Sequence, residues 1–112
     1  MAMKGKGLFV VRAVIEDPSN RERFDDWYQH DHLPDALTAF GAQRAWRAWS
    51  SKDPSVHTAF YEFESGEAAA AIEDSEAIKD LIADFDRNWG DAVKRSREVL
   101  VIVDHQSPQS DA

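Results

Sequence analysis

Residues 24–41 contain the side chains of this chain that are best suited to chemistry. Tyr28 and His32 are four residues apart, so their side chains lie one turn from each other if the segment is helical. An imidazole with a pKa of about 6.5 can take a proton from a carbon acid or a phenol at neutral pH. A tyrosine hydroxyl can polarise a substrate carbonyl. His32 and Tyr28 are therefore the predicted catalytic residues. A purely structural histidine that closes the helix end is the alternative for His32, and a core tyrosine with a solvated hydroxyl is the alternative for Tyr28.

The segment also raises the question of a metal site, because His30 and His32 flank Asp31. Two histidines and a carboxylate are a ligand set of non-haem iron. Residues two apart point in different directions on a helix, however, and the chain has no cysteine that could add a thiolate ligand. No metal site is predicted here. His57 and His105 are interpreted as surface histidines.

The predicted substrate-binding residues are Trp27, Arg12, Trp49 and Tyr61. The three aromatic side chains offer the apolar area and the stacking geometry that a flat ligand needs. Arg12 is a lone charge in an apolar strand, so its guanidinium must find a carboxylate, a substrate anion or the edge of the sheet. An ion pair with one of the 21 acidic residues is the simplest interpretation of Arg12.

Pro34 determines the geometry that we expect around His32. A proline disfavours the α conformation of the residue before it, so Leu33 is predicted to leave the helix and His32 to lie in its last turn. The negative end of the helix favours the imidazolium, whereas burial beside Trp27 favours the neutral ring. The sequence leaves the protonation state open. A second short helix is predicted from Pro34 to Gly41, where glycine provides a C-terminal stop.

The remaining elements are predicted from apolar periodicity and capping residues. Ser19 and Ser75 are the predicted N-caps of the two main helices. Strands are predicted over residues 7–16, 42–50, 56–64 and 98–104, with a polar link before the last of them. The order strand, helix, strand, strand, helix, strand predicts an α+β, ferredoxin-like βαββαβ fold with a four-stranded antiparallel sheet. Residues 1–105 are predicted to form a single domain, and residues 106–112 a disordered tail.

Charge and hydropathy narrow the class of partner. The formal net charge is −8 and the pI is near 4.8, and binding to nucleic acid or to an anionic membrane requires a basic patch. No segment has the length and apolarity of a signal or a membrane span. The expectation is therefore a cytoplasmic protein that binds neither nucleic acid nor a membrane.

Both faces of the predicted sheet are apolar, although helices can cover only one of them. In the first strand, for example, one face carries Phe9, Val11 and Ala13 and the other carries Leu8 and Val10. The chain has no further helix for the second face. A second copy of the chain is the simplest cover, so the sequence predicts a homodimer.

With these elements and this motif, the chain resembles the EthD-like proteins of the dimeric α/β-barrel superfamily. The element order matches over nearly the whole domain, and a motif lies within residues 24–46. The residues that carry this motif are Phe24, Trp27-Tyr28, His32, Pro34, Gly41 and Arg44-Ala45-Trp46. The resemblance implies a small dimer, a dimeric α/β barrel, with a pocket lined by sheet and helices. It carries over one functional residue, His32.

The activities known in this superfamily include lactone isomerisation, polyketide cyclisation, quinone-forming monooxygenation and, in some branches, haem chemistry. The resemblance therefore implies a cofactor-independent enzyme of the isomerase, cyclase or monooxygenase type, acting on a small hydrophobic carbonyl or phenolic compound. One alternative is a non-catalytic ligand-binding or stress-associated dimer. Another is haem binding through His32 or a different histidine.

Overall fold

One antiparallel sheet of four strands is the centre of the computed structural model, which describes residues 5–108. The strands are β1 (Gly7–Val14), β2 (Arg44–Trp49), β3 (Val56–Phe63) and β4 (Lys94–Val101). Their order across the sheet is β2-β3-β1-β4, and each neighbouring pair is antiparallel. This order is that of the ferredoxin-like fold, so the predicted fold class is confirmed.

Two helical connections cross one face of this sheet. Their helices are α1 (Arg21–Trp27), α2 (Leu33–Phe40), α3 (Gly66–Ala71) and α4 (Glu76–Asn88). The hydroxyls of Ser65 and Ser75 accept hydrogen bonds from the third residue beyond them and so cap α3 and α4. Ser19 was predicted to cap α1, but the N-terminal cap belongs to Asp17, whose carboxylate accepts the Ser19 N–H and begins a short 3₁₀ turn ahead of α1.

Aromatic side chains dominate the core between the helices and the sheet. Phe9, Tyr61, Phe24, Tyr28 and Phe85 are each 1% exposed or less. Phe9 and Tyr61 are cross-strand partners on β1 and β3, while the other three come from the helical layer. Burial of one such side chain stabilises the fold by about 1.5–3 kcal/mol. The odd-numbered residues of β1 therefore face the helices, whereas the sequence predicted only that both faces are apolar.

The opposite face of the sheet, which we call the outer face, is apolar and partly open. Leu8 and Val10 of β1 lie beside Phe60 of β3 in the same register. Trp46 stacks on Phe60 with ring centroids 5.5 Å apart, and Trp46 and Leu100 are 39% and 41% exposed. The two-sided apolar pattern is thus real: the segment from Ile102 to His105 lines a concavity beside Trp46, while Trp46 and Leu100 remain partly open to solvent.

The last strand differs from its predicted position. β4 begins at Lys94 and ends at Val101, whereas the sequence indicated a strand over 98–104 after a polar link. The basic residues of that link, Arg95 and Arg97 among them, pair with β1. An edge strand tolerates charged side chains because one of its sides meets solvent. The shift brings both arginines to the face that the helices cover.

The predicted tail is only partly described. Residues 106–108 are exposed and have no regular secondary structure, and residues 109–112 lie outside the described part of the chain. The division into a domain over 1–105 and a disordered tail stays a prediction. None of the helices described between residues 5 and 108 has the length and apolarity that crossing a membrane requires.

Candidate functional site

The helix that carries His32 does not break at Pro34. Residues 28–32 form a π-helical segment that joins α1 to α2, and Leu33 keeps helical angles of φ −65° and ψ −48°. The Leu33 N–H donates to the carbonyl of Tyr28, five residues earlier. Pro34 lacks an N–H, and in a regular α-helix its ring would crowd the carbonyl of His30. The wider π turn accommodates the proline, so the predicted break is wrong.

The π segment brings residues five apart into contact on one face of the helix. Trp27 and His32 have this spacing, and their rings stack with centroids 4.6 Å apart at an interplanar angle of 23°. Tyr28 meets the same imidazole edge-on at 4.9 Å, and Phe85 of α4 meets it at 5.7 Å. The His32 ring is consequently held in one orientation by aromatic contacts.

His32 is uncharged at neutral pH because it is buried. It is 7% exposed, and desolvation lowers its pKa to about 4. The carboxylate of Asp84 opposes this shift, but its Oδ2 atom is 3.9 Å from Nδ1, too far to accept a hydrogen bond. Within residues 5–108 the Nδ1 atom has no hydrogen-bond partner. A neutral ring with a carboxylate in reach can accept a proton and then gain an ion pair.

Two tyrosine hydroxyls meet beside His32. The hydroxyls of Tyr28 and Tyr61 are 3.2 Å apart, and both residues are 1% exposed. Burial raises the pKa of Tyr28 to about 12 and that of Tyr61 well above its ordinary value. Both groups therefore remain protonated and can donate a hydrogen bond to a developing oxyanion.

His32 and the two tyrosines line a small cavity between the sheet and the helices. Its volume is about 30 Å³, enough for one water molecule. Apolar side chains form most of the remaining wall, and Arg95 and Arg97 of β4 complete it. The structure thus brings together three of the predicted site residues, His32, Tyr28 and Tyr61, with two arginines that sequence reasoning assigned to a link. The alternation of Arg95, Arg97 and Val99 was the sequence signal that could have extended the last strand over this link.

The other predicted substrate-binding residues lie elsewhere. Trp27 supports the His32 ring but is not part of the cavity wall. Trp49 also faces the helices, but its Nε1 atom donates to Asp25 at 2.7 Å, away from the cavity. Arg12 is exposed on the outer face, because even-numbered residues of β1 point away from the helices, and it forms no ion pair within residues 5–108.

His57 is fully buried, so its interpretation as a surface histidine is wrong. It pairs with Ala13 and Trp49 across the sheet and faces the helices, where its ring centroid is 4.6 Å from that of Tyr28. Its Nε2 atom is 3.4 Å from Arg47, and burial lowers its pKa to about 4. The register of β3 buries this position, and a single sequence does not reveal that register.

The two remaining histidines are exposed, as the sequence indicated. His30 Nδ1 contacts the carbonyl of Asp26 in the preceding turn, and His105 lies beyond β4. His30 is exposed while His32 is buried, so the two rings diverge. Across residues 5–108 no three histidine or carboxylate side chains are grouped as metal ligands would be.

The role of the π segment is tested by Pro34→Ala. Alanine restores an N–H that can donate to the carbonyl of His30, so the π segment is expected to relax and loosen the stack of Trp27 on His32. Stability should change by only about 1 kcal/mol. The measurement is the ring-current shift of the His32 ring protons by NMR. Pro18→Ala, in the exposed turn before α1, is the matched control; identical His32 shifts in both variants would contradict the role assigned to Pro34.

Comparison of the sequence alone with known proteins finds no relative. No protein-family model matches the chain, and no curated protein matches it.

Comparison of the structure finds proteins of the same fold. An EthD family protein from Bacillus halodurans matches with a TM-score of 0.58 and 14% identity over 81% of this chain and 96% of its own. A dimeric ferredoxin-like protein from an uncultured marine organism matches with a TM-score of 0.56 and 13% identity over 92% of this chain and 100% of its own. A variant of a cofactor-independent oxygenase from Streptomyces nogalater matches with a TM-score of 0.56 and 10% identity, covering 95% and 96% of the two chains. The chain therefore has a ferredoxin-like fold, which it shares with an EthD family protein and with a dimeric ferredoxin-like protein.

Proposed function

We propose that the protein is a cofactor-independent enzyme of the monooxygenase type that acts on a small hydrophobic phenol. The observation that carries this proposal is the buried, uncharged His32, which lines a cavity together with the hydroxyls of Tyr28 and Tyr61. Such a site can remove a proton and hold the resulting oxyanion. The fold shared with a cofactor-independent oxygenase supports the reaction type by analogy.

The proposed reaction begins with transfer of the phenol proton to His32. The hydroxyl of Tyr28 donates to the phenolate oxygen, and the imidazolium is stabilised by Asp84, 3.9 Å from its Nδ1 atom. Opposite charges attract strongly in a dry cavity, which favours proton transfer despite the low pKa of the empty site. The electron-rich para carbon then forms a C–O bond with molecular oxygen, which is the oxidant. The O–O bond breaks as the para C–H proton is lost, so one oxygen atom stays on the ring as a quinone oxygen. The other oxygen atom leaves as water with that proton and the proton held by His32.

Oxygen uptake is the experiment that tests this proposal. The purified protein is incubated in air with naphthols and other ring phenols that have a free para position, and oxygen consumption and quinone absorbance are followed together. Oxygen uptake matched by quinone formation supports the monooxygenase. Conversion of a carbonyl compound without oxygen uptake would instead indicate an isomerase or cyclase that uses the same proton transfer.

Two non-enzymatic alternatives give different results. A ligand-binding or stress-associated dimer would show a raised melting temperature with an apolar compound and no turnover. Haem binding would give a Soret band on reconstitution. The cavity beside His32, at about 30 Å³, must widen to admit a phenol and would have to widen far more to admit a porphyrin, which makes haem the weaker alternative.

We also propose that the protein is a homodimer through the outer face of its sheet. Trp46 and Leu100 there are 39% and 41% exposed, a large apolar exposure for one small sheet. A structural neighbour is itself described as a dimeric ferredoxin-like protein. Two such faces in contact would bury on the order of 1,000 Å² or more, the area of a stable interface.

The dimer is tested by Trp46→Glu. A carboxylate at this position would be buried without a partner in the interface, so the variant is expected to sediment as a monomer at a protein concentration where the wild type is a dimer. The glutamate remains solvated in the monomer, so the fold should survive. Ala83→Glu adds the same charge on the exposed side of α4 and should leave the dimer intact. A monomeric wild-type protein would refute the proposal.

A further inference from the structure

We infer that Arg95 and Arg97 form an anion-binding subsite at the mouth of the cavity, and that the substrate carries a carboxylate. The inference rests on the proposed function of the cavity and names its substrate class. It concerns a permanent charge on the substrate, which is separate from the phenolate that forms during the reaction.

The two arginine side chains lie on the same side of one strand. Arg95 and Arg97 are two residues apart on the edge strand β4, so they point to the same face of the sheet. Both line the cavity that also contains His32. A ligand whose ring reaches His32 would therefore have its outer end next to the guanidinium groups.

The route by which a ligand reaches the cavity passes one of these arginines. A surface depression of about 370 Å³ adjoins it, and the two concavities share Arg97, Ile78 and Ile82 as wall residues. Arg97 is exposed and Ile82 is half-buried, so these side chains can move apart and join the concavities. A ligand larger than water enters by this movement, and it passes Arg97 as it does so.

The positive charge of the two arginines is only partly neutralised. Arg97 forms no ion pair within residues 5–108, although the chain carries a net charge of −8. Arg95 has one partner, the exposed Asp86 at 2.9 Å, and its guanidinium lies 4.0 Å from the ring of Phe85. Burial and the nearby charge of Arg97 lower the pKa of Arg95. A carboxylate placed against both groups would relieve this repulsion.

The chemistry of the guanidinium group selects the class of anion. Its planar fork of N–H donors matches the two oxygens of a carboxylate. Glu73 and Asp74 line the depression but not the cavity, so their charges disfavour an anion that stays in the depression and favour one that reaches the cavity wall. The geometry thus fits a small aromatic acid whose carboxylate contacts the arginines and whose phenolic hydroxyl enters the cavity.

Calorimetry with a matched pair of probes tests the subsite. We expect 3-hydroxybenzoate, whose position para to the hydroxyl is free as the proposed reaction requires, to bind about 10-fold or more tightly than 3-hydroxybenzamide, its neutral isostere, and this preference to weaken at high salt. Arg97→Gln should abolish the preference while leaving binding of the amide unchanged, and Arg97→Lys should restore part of it. Lys79→Gln removes the same charge from the solvent side of α4 and should have no effect.

The possible results distinguish a failure of the anion subsite from a failure of the proposed function. Equal affinity for the acid and the amide, or a preference that survives Arg97→Gln, would overturn the inference and leave the proposed reaction standing. Absence of saturable binding of both probes would overturn both, because the cavity would then not be a ligand site. Loss of turnover in a His32 variant that still prefers the acid would support both.

Discussion

Replacement of His32 by glutamine is expected to lower the rate of phenol oxidation about 10²-fold or more. Glutamine retains a hydrogen-bonding side chain of similar length but cannot take up the phenol proton. The neutral His32 ring is the only base that we assign to the cavity, since both tyrosine hydroxyls stay protonated there. The measurement is oxygen consumption with the best phenol found for the wild type.

Two controls distinguish a catalytic role from a structural one. His30→Gln changes an exposed histidine of the same helix and should leave the rate unchanged. His32→Gln should lower kcat far more than it raises KM, and at alkaline pH, where more of the phenol is already ionised, part of its rate should return. A loss of rate that tracks loss of near-UV circular dichroism would show that His32 only supports the fold.

A smaller effect is expected for Tyr28, because its role is hydrogen bonding. Its hydroxyl lies 3.2 Å from that of Tyr61, which can donate in its place once Tyr28 is removed. The functional group of the site is therefore the histidine, and the tyrosines stabilise the charge that it creates.

The fold was predictable because its signals are local. Alternating apolar residues marked β1 and β3, and Ser75 marked the start of α4, three residues before Ile78. The meeting of His32, Tyr28 and Tyr61 was harder to predict from the sequence. It depends on the helix packing against β3, and the βαββαβ order predicts that packing.

The π segment could not be predicted from the sequence. Pro34 indicates only that a regular α-helix is strained, and the chain can respond by breaking or by widening one turn. The structure shows the second response. The contact between Trp27 and His32 depends on it, because residues five apart do not stack on a regular α-helix.

The remaining errors concern tertiary position. His57 and Arg97 are polar residues on strands, and their strands place them on the covered face of the sheet. Arg12 is equally polar but has the opposite parity in β1, which places it on the outer face. Strand register decides between these outcomes, and the register follows from packing across the whole sheet.

Acidification is expected to destabilise the protein strongly between pH 6.5 and pH 4. His32 and His57 both have a pKa of about 4 in the folded chain, lowered by burial from an ordinary 6.5. In this pH range the histidines bind protons in the unfolded chain but not in the folded chain, so the free energy of unfolding falls as the pH falls. The loss is about 3 kcal/mol for each histidine, which is a large part of the stability of a typical domain.

The charged groups around the His32 and His57 rings have opposing effects on each pKa, so burial is the main cause of both shifts. Asp84 favours protonation of His32 and Arg95 disfavours it; Asp25 favours protonation of His57, whereas Arg47 and His32 disfavour it. The carboxyls of Asp25 and Glu62 have pKa values lowered from 3.8 and 4.5, so their contribution to stability is lost as the pH falls below those ordinary values. The histidines therefore account for the loss between pH 6.5 and about pH 4.5.

Urea denaturation at several pH values, with His57→Phe as the test variant, measures this effect. Phenylalanine fits the aromatic surroundings of His57 and does not titrate, so the loss of unfolding free energy on going from pH 7 to pH 4 should shrink by about 3 kcal/mol. His30→Gln, in which an exposed ring is changed, should retain the full loss.

Because neutral His57 already leaves its Nδ1 atom without a partner within residues 5–108, the phenylalanine variant should also be at least as stable as the wild type at pH 5. A wild-type protein with equal unfolding free energies at pH 7 and pH 4 would mean that both rings reach water or an acceptor, and that His32 is not the desolvated base on which the proposed reaction depends.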